Sequence, residues 1–448
     1  MNFNICKNSD AVAKNQKWEV FAEEPELPAQ LPPLVELLTS KVEREFHPAI
    51  ATMPFAALAA HMKHCHYRYL DNKSRECVFL SVLAAPSGSG KSFLDDIIEV
   101  IIEDIKAETD EANRQEEAWK RQVKACAKNA EKPVRPQFSR QILPTNTTNP
   151  TLVQRLMDAD GKFLYTRTSE LSTLTKMCGG MQGVSEVLRL AFDCAPYGQA
   201  RVGEDGVNGE APCRWQFNAS TTIGQARSFF AKGNFADGTG SRIALATIDR
   251  DENSGIPVQG DYDQQFREEM KVYIDRLRAA EGEVGDARIR EFMLGLVKEI
   301  DTEVMQANPE MKKYIQPVLN RAYIIAMSRA ILLYVAHAGT WSEAMEEYVR
   351  WSLKYDLHCK MLFFGEQIIR EMRAEYEAAA IVSQAKKKTG DVLSLLPVTF
   401  TKEDVISEYL KMGESPDKAK KKAGITSTWK KRKQIVEIKP GTWQKTEG

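Results

Sequence analysis

The chain has 448 residues, 43% hydrophobic and 27% charged, and its 61 Lys and Arg against 62 Asp and Glu leave a formal net charge of -1. These values fit a globular protein of two or three domains and exclude one that binds nucleic acid over its whole surface, so any such surface is local. Eight cysteines are scattered without a Cys-x-x-Cys pair, no signal-peptide pattern opens the sequence, and no apolar run approaches the ~20 residues that span a bilayer, which predicts a reduced, cytoplasmic protein with no membrane partner.

In chain order, residues 1–50 are acidic and Pro-rich, with Glu23-Glu24-Pro25-Glu26 and Leu31-Pro32-Pro33, and read as an extended arm. Helical spacing follows at Phe55, Leu58, Ala59 and Met62, and then His61, His64, Cys65 and His66 cluster. No second Cys/His pair has the spacing of a zinc site, so these read as core or surface residues. The apolar run from Val78 to Ala84 is a candidate buried strand, and it leads into Ala85-Pro86-Ser87-Gly88-Ser89-Gly90-Lys91-Ser92 and a helical pattern from Phe93. Strand, Gly-rich turn and helix in that order are the context of a phosphate-binding P-loop. Gly88 and Gly90 allow the backbone to aim its N–H groups at a polyphosphate, and Ser87 to Ser92 are the expected ATP-binding residues. Lys91 is expected on the β/γ-phosphates and the Ser92 hydroxyl on Mg2+, with the helix dipole favouring the anion. The first Gly of the pattern is replaced by Ala85.

From Phe93 to about Glu131 the pattern is helical and increasingly charged, which predicts a solvated arm over about 100–131, stopped by Pro133 and Pro136. Four further strand candidates alternate with helices: Arg140–Pro144, Phe163–Thr166, Trp215–Ser220 and Arg242–Ile248. Such alternation, with the Gly-rich loop on the first strand, predicts an α/β core over 51–255 with a mostly parallel sheet. After the Phe163 strand, Glu170 stands where an acidic residue would orient the attacking water, although Ser169 replaces the usual preceding Asp. Asn218 to Thr222 end a strand with polar residues that could sense a γ-phosphate, an assignment that turn chemistry explains equally well. The loop Asp237-Gly238-Thr239-Gly240-Ser241 presents Arg242, a candidate for stabilising phosphoryl-transfer charge in cis or across a subunit interface, and Arg201 is a second basic candidate. Residues 256–390 read as a helical domain.

Residues 391–448 read as a separate unit. A capping pattern at Thr399–Asp404, short helices around Pro416–Ala423 and Thr426–Arg432, and a strand–turn–strand from Ile435 to Lys445 follow the order of a winged helix. From 401 to 448 there are twelve Lys and Arg against seven Asp and Glu, a local excess of five in a chain that is otherwise balanced. That excess predicts contact with DNA phosphates, single- or double-stranded, through Lys430, Lys431, Arg432, Lys433 and Lys439, with Trp429 in the core.

Over roughly residues 30 to 380 the chain resembles a P-loop ATPase family of unknown function from bacterial mobile elements and prophages, often fused to or encoded beside primase domains. The residues that carry the resemblance are Ala85 to Ser92, Ser169-Glu170-Leu171, Asp193 through Arg201, Asp237 through Arg242, and the helical tail with Ala330-Ile331-Leu332 and His337. Members are similar to the helicase half of primase-helicases. The resemblance implies a RecA-like core, a homo-oligomeric ring, ATP and Mg2+ as ligands, a helicase-like role in replicating a mobile element, and a primase or other replication partner. Ser169 and Ala85 depart from the usual pattern and leave open an ATP-liganded DNA-binding regulator, and an ATPase subunit of a phage-defence system is a further alternative.

Overall fold

Four segments assemble into one parallel sheet: β1 (Leu80–Ala84), β2 (Leu164–Thr168), β3 (Trp215–Thr221) and β4 (Ile243–Ala246), in the spatial order β2-β3-β1-β4. Every residue of β1, β3 and β4 is buried; β1 and β4 accordingly read as mainly apolar runs, whereas β3 also buries Gln216, Asn218 and Ser220. The computed structural model describes residues 19–127, 131–200, 207–231, 235–250, 255–390 and 392–446. Arg201 and the first eighteen residues of the expected arm lie outside them.

The expected strand at Arg140–Pro144 contributes a single parallel bridge, Ile142 to Tyr165, on the outer side of β2. Pro144 has no N–H to extend the ladder, and the Gln141 side chain is engaged with the carbonyls of Ala60 and Phe163. The chain therefore leaves β1 for the far edge of the sheet, returns through β2 and β3, and crosses to β4 on the other side of β1. The path reverses at the carboxyl ends of β1 and β3, the place where open α/β sheets form their ligand crevice.

The chain divides into two units, Met1–Met372 and Arg373–Gly448. In the first, one apolar cluster runs from Phe21 to Met372 and includes the sheet and the helices Gln264–Ala279, Ala287–Ala307 and Pro309–Ala336. The expected boundary near 256 is thus not a boundary between cores. Helix Glu343–Gly390 caps the outer edge of β4: Asp356 accepts from the Leu245 N–H (2.8 Å) and the Tyr355 hydroxyl from that of Thr247 (3.1 Å). These bonds satisfy ladder groups that an open edge would expose. Helix Pro309–Ala336 is long and apolar enough to cross a membrane, the one such helix among the described residues, and 83% of its apolar window is buried inside the fold.

Two expectations of solvated segments are corrected. The arm becomes helical at Pro33–Thr39, where Leu34, Val35 and Leu38 are wholly buried. The charged arm is a helix, Glu103–Ala125, that buries Ile105, Thr109, Ala112 and Glu116 on one face at helical spacing. There the Glu116 carboxylate pairs with Arg140 and Arg155.

The second unit packs helices Lys402–Lys411, Pro416–Lys422 and Thr426–Lys431 against an antiparallel sheet in the order Thr399–Thr401, Thr442–Lys445, Ile435–Lys439. The capping pattern is present: the Thr401 N–H donates to Asp404 (2.7 Å) and the Asp404 N–H to the Thr401 hydroxyl (3.4 Å). Its core joins Phe400, Val405, Tyr409, Trp429 and Trp443. Trp429 is an interior residue, its ring 6.2 Å from that of Phe400.

Candidate functional site

The loop after β1 takes the shape its sequence requires. Gly88 and Gly90 both have φ of +78°, a backbone conformation that costs glycine little and other residues more. Ser89 is buried and closes the turn, its hydroxyl donating to the Pro86 carbonyl at 2.9 Å. Its hydroxyl is therefore committed to the loop. Among the described residues no acceptor meets the backbone N–H groups of Ser87, Gly88, Gly90, Lys91 or Ser92. Ser92 is the N-cap of helix Phe93–Ile101, and its hydroxyl makes no capping bond. Unpaired N–H groups at a helix start form an anion-binding concavity. Lys91 folds back over the loop, donating to the carbonyls of Ala85 (3.2 Å) and Pro86 (2.5 Å). Partial burial lowers the pKa of its ammonium, and an anion in the loop offsets that desolvation.

Glu170 lies at the same edge of the sheet. Thr168 pairs with Ala219, and Thr221 with Ala84, so this strand ends two residues short of the level at which β1 gives way to the loop; the chain then bends at Ser169 and Glu170 follows. One strand, β3, separates β2 from β1, which sets their backbones about 10 Å apart at ordinary strand spacing. The Glu170 carboxylate is exposed and accepts from the Ser172 hydroxyl at 3.0 Å. Arg167, which sequence reasoning missed, ties this strand to the helix behind the loop by pairing with Asp95 (3.3 Å) and Glu99. An arginine in an apolar strand facing carboxylates on the neighbouring helix was the available signal.

Between them, the polar tip of β3 splits by role. Asn218 is buried, accepting from the Tyr165 hydroxyl (2.8 Å) and donating to the Met53 carbonyl (2.8 Å), so it is a core residue. Thr221 donates to the exposed Gln225 (3.2 Å), and Thr222 caps helix Ile223–Phe229.

Arg242 is not part of this arrangement. Ile243 pairs with Leu80, at the amino end of β1, which puts Arg242 at the opposite edge of the sheet, about 16 Å from the loop by strand rise. It is nearly buried, donates to the Gly238 carbonyl (2.7 Å) and pairs with Asp193 (3.3 Å), which Arg75 also holds (2.9 Å). Action in cis on a nucleotide in this loop is excluded by that distance, and action on another copy is the remaining sense of the expectation. Of the clustered histidines, His61 is buried between the Ala57 carbonyl (3.1 Å) and Asp104 (3.0 Å). Among the described residues no group of three or more His, Cys, Asp or Glu could hold a metal ion, so Mg2+ here would be held by Ser92 and the phosphates themselves.

In the second unit Lys430, Lys431, Arg432, Lys433 and Lys439 are all exposed. Lys430 pairs with Glu437 (2.6 Å), while Lys431, Arg432, Lys433 and Lys439 have no ion-pair partner among the described residues. Lys430, Lys433 and Lys439 line an open groove with Val436 and Ile438. Compared with protein-family models and with curated proteins, the chain matches none.

Proposed function

We propose that the chain is a P-loop ATPase with a winged-helix DNA-binding unit, acting as a helicase-like DNA motor in the replication or maintenance of a mobile element. The observation that carries this reading is the loop after β1: two left-handed glycines, a set of unpaired N–H groups and Lys91, at the point where the sheet's path reverses and at the same edge of the sheet as Glu170. In the proposed cycle the loop N–H groups and Lys91 hold the β- and γ-phosphates, and the Ser92 hydroxyl meets Mg2+. Glu170 then orients the attacking water.

Arg242, at the far edge of the same sheet and paired with Asp193, meets a nucleotide only if that nucleotide is on another copy, and a homo-oligomer such as a ring is the arrangement in which it would do so. The three short helices, the antiparallel strands and the unpaired Lys431, Arg432, Lys433 and Lys439 support DNA contact through phosphates.

A second reading, a DNA-binding regulator that keeps ATP as a structural ligand, is favoured by Ser169, which is exposed where a motor usually carries a carboxylate. ATP turnover measured with and without single-stranded DNA separates the two. DNA-stimulated turnover supports the motor; ATP and DNA binding without turnover supports the regulator.

A further inference from the structure

We propose that the segment Gly255–Val258, backed by Phe46, is the base-side wall of the nucleotide site and takes the purine ring by apolar contact. This rests on the nucleotide reading of the Gly-rich loop. In the order β2-β3-β1-β4, Glu170 lies on one side of the loop and the carboxyl end of β4 on the other. With the γ-phosphate directed toward Glu170, the ribose and base leave the loop toward the chain that follows β4.

That chain passes close to the loop. A Cβ built on Gly90 would lie 3.4 Å from Pro257 Cγ and 3.4 Å from the Phe46 ring. Phe46 is itself buried, edge-on to Phe93 at 4.4 Å, so it supports the wall from behind. On either side of Pro257, Ile256 is 92% exposed and Val258 79% exposed. Isolated exposed aliphatics are common, but these two β-branched side chains flank the residue that lies beside the loop.

The wall is also fixed in place. Arg250 donates to the Gly255 carbonyl (2.5 Å), and the Val258 N–H donates to Glu43 (2.8 Å). Arg250 is in turn held by Glu45 (2.9 Å) and lies over the Phe46 ring at 5.8 Å. The charged side chains that frame the wall are thus bonded to one another and to its backbone, which leaves the apolar faces of Ile256 and Val258 as its contribution to a ligand. A site of this kind holds a flat ring without reading its edge, because strong base selection requires hydrogen-bonding groups built for that edge.

The test uses the full chain and the double substitution Ile256→Ala, Val258→Ala, with dissociation constants measured for ATP, GTP and inorganic tripolyphosphate in Mg2+. The wild-type protein should bind ATP and GTP within about fivefold of each other. The substitutions should weaken both by about tenfold, the loss of a few buried methylene groups, and leave tripolyphosphate binding and the melting temperature unchanged. Unchanged ATP affinity in the variant, or an equal loss for tripolyphosphate, overturns the base wall while the phosphate loop stands. Failure of the wild-type chain to bind either tripolyphosphate or ATP removes the nucleotide reading and the wall with it.

Discussion

Replacing Lys91 with alanine separates a role in binding from a role in folding, because the two effects have different sizes. In the unliganded chain Lys91 makes two hydrogen bonds, to the carbonyls of Ala85 and Pro86, and it is only half-buried. A hydrogen bond from a charged donor contributes about 1.5–3 kcal/mol when shielded from water, and screening at this partly exposed ammonium brings the pair together to about 1 kcal/mol. A stability loss of about 1 kcal/mol in a domain this large lowers the melting temperature by about 2 °C. No core packing is removed. A charge-assisted bond from the ammonium to a phosphate is stronger, about 1.5–3 kcal/mol, so ATP affinity should fall by about 10- to 150-fold. Titration with a fluorescent ATP analogue in Mg2+, beside a thermal melt of the same sample, reads both quantities. Wild-type affinity in a folded variant would refute the phosphate role. A large drop in melting temperature would show instead that Lys91 is needed to hold the loop together.

Glu170→Gln should retain ATP binding and lose turnover by at least about 100-fold, since it keeps size and hydrogen bonding but not the charge that orients water; near-normal turnover would move that role to another residue. In the second unit, Lys431→Ala should flatten the log–log salt dependence of DNA binding by about one unit across all sequences, whereas Lys430→Ala should do less because Glu437 already neutralises that ammonium; equal effects in a filter-binding series contradict this. Acidification should destabilise the first unit through His337, whose Nδ1 donates to the Leu333 carbonyl (2.8 Å) and whose Nε2 accepts from the Leu34 N–H (3.4 Å). Burial lowers its pKa, as it does for His358 and His47. The unfolded state then binds more protons, so stability is level above about pH 7 and falls as pH drops through about 6.5, the unfolded value. Melting temperatures from pH 8 to 5 should show this fall, and His337→Gln should reduce it.

The β1–loop–helix unit was legible because three independent signals coincide there: an apolar run, glycines at the positions of positive φ, and a helical pattern from Phe93. Trp429 and the Thr401–Asp404 cap were legible for similar local reasons. What failed depends on tertiary partners. Helical apolar faces look alike whether they meet other helices or a sheet, so residues 256–390 read as their own domain although the part up to Met372 shares one core with β1–β4. The Glu103–Ala125 helix looked solvated because Glu116 is polar, yet Arg140 and Arg155 compensate its charge inside the fold. Arg242 was expected to act in cis or across a subunit interface; the cis sense does not hold, because a residue just before a parallel strand lies at the amino edge and the ligand crevice is at the other. Pro257 carries no motif; only the fold brings it beside Gly90.

The central claim is that the loop from Ala85 to Ser92 binds a nucleoside triphosphate, and calorimetric titration of the full chain with ATP, with and without Mg2+, tests it most directly. The account predicts one saturable site per chain, tighter with Mg2+ and displaced by tripolyphosphate. Absence of binding at millimolar ATP in either condition, with the protein folded, would contradict it.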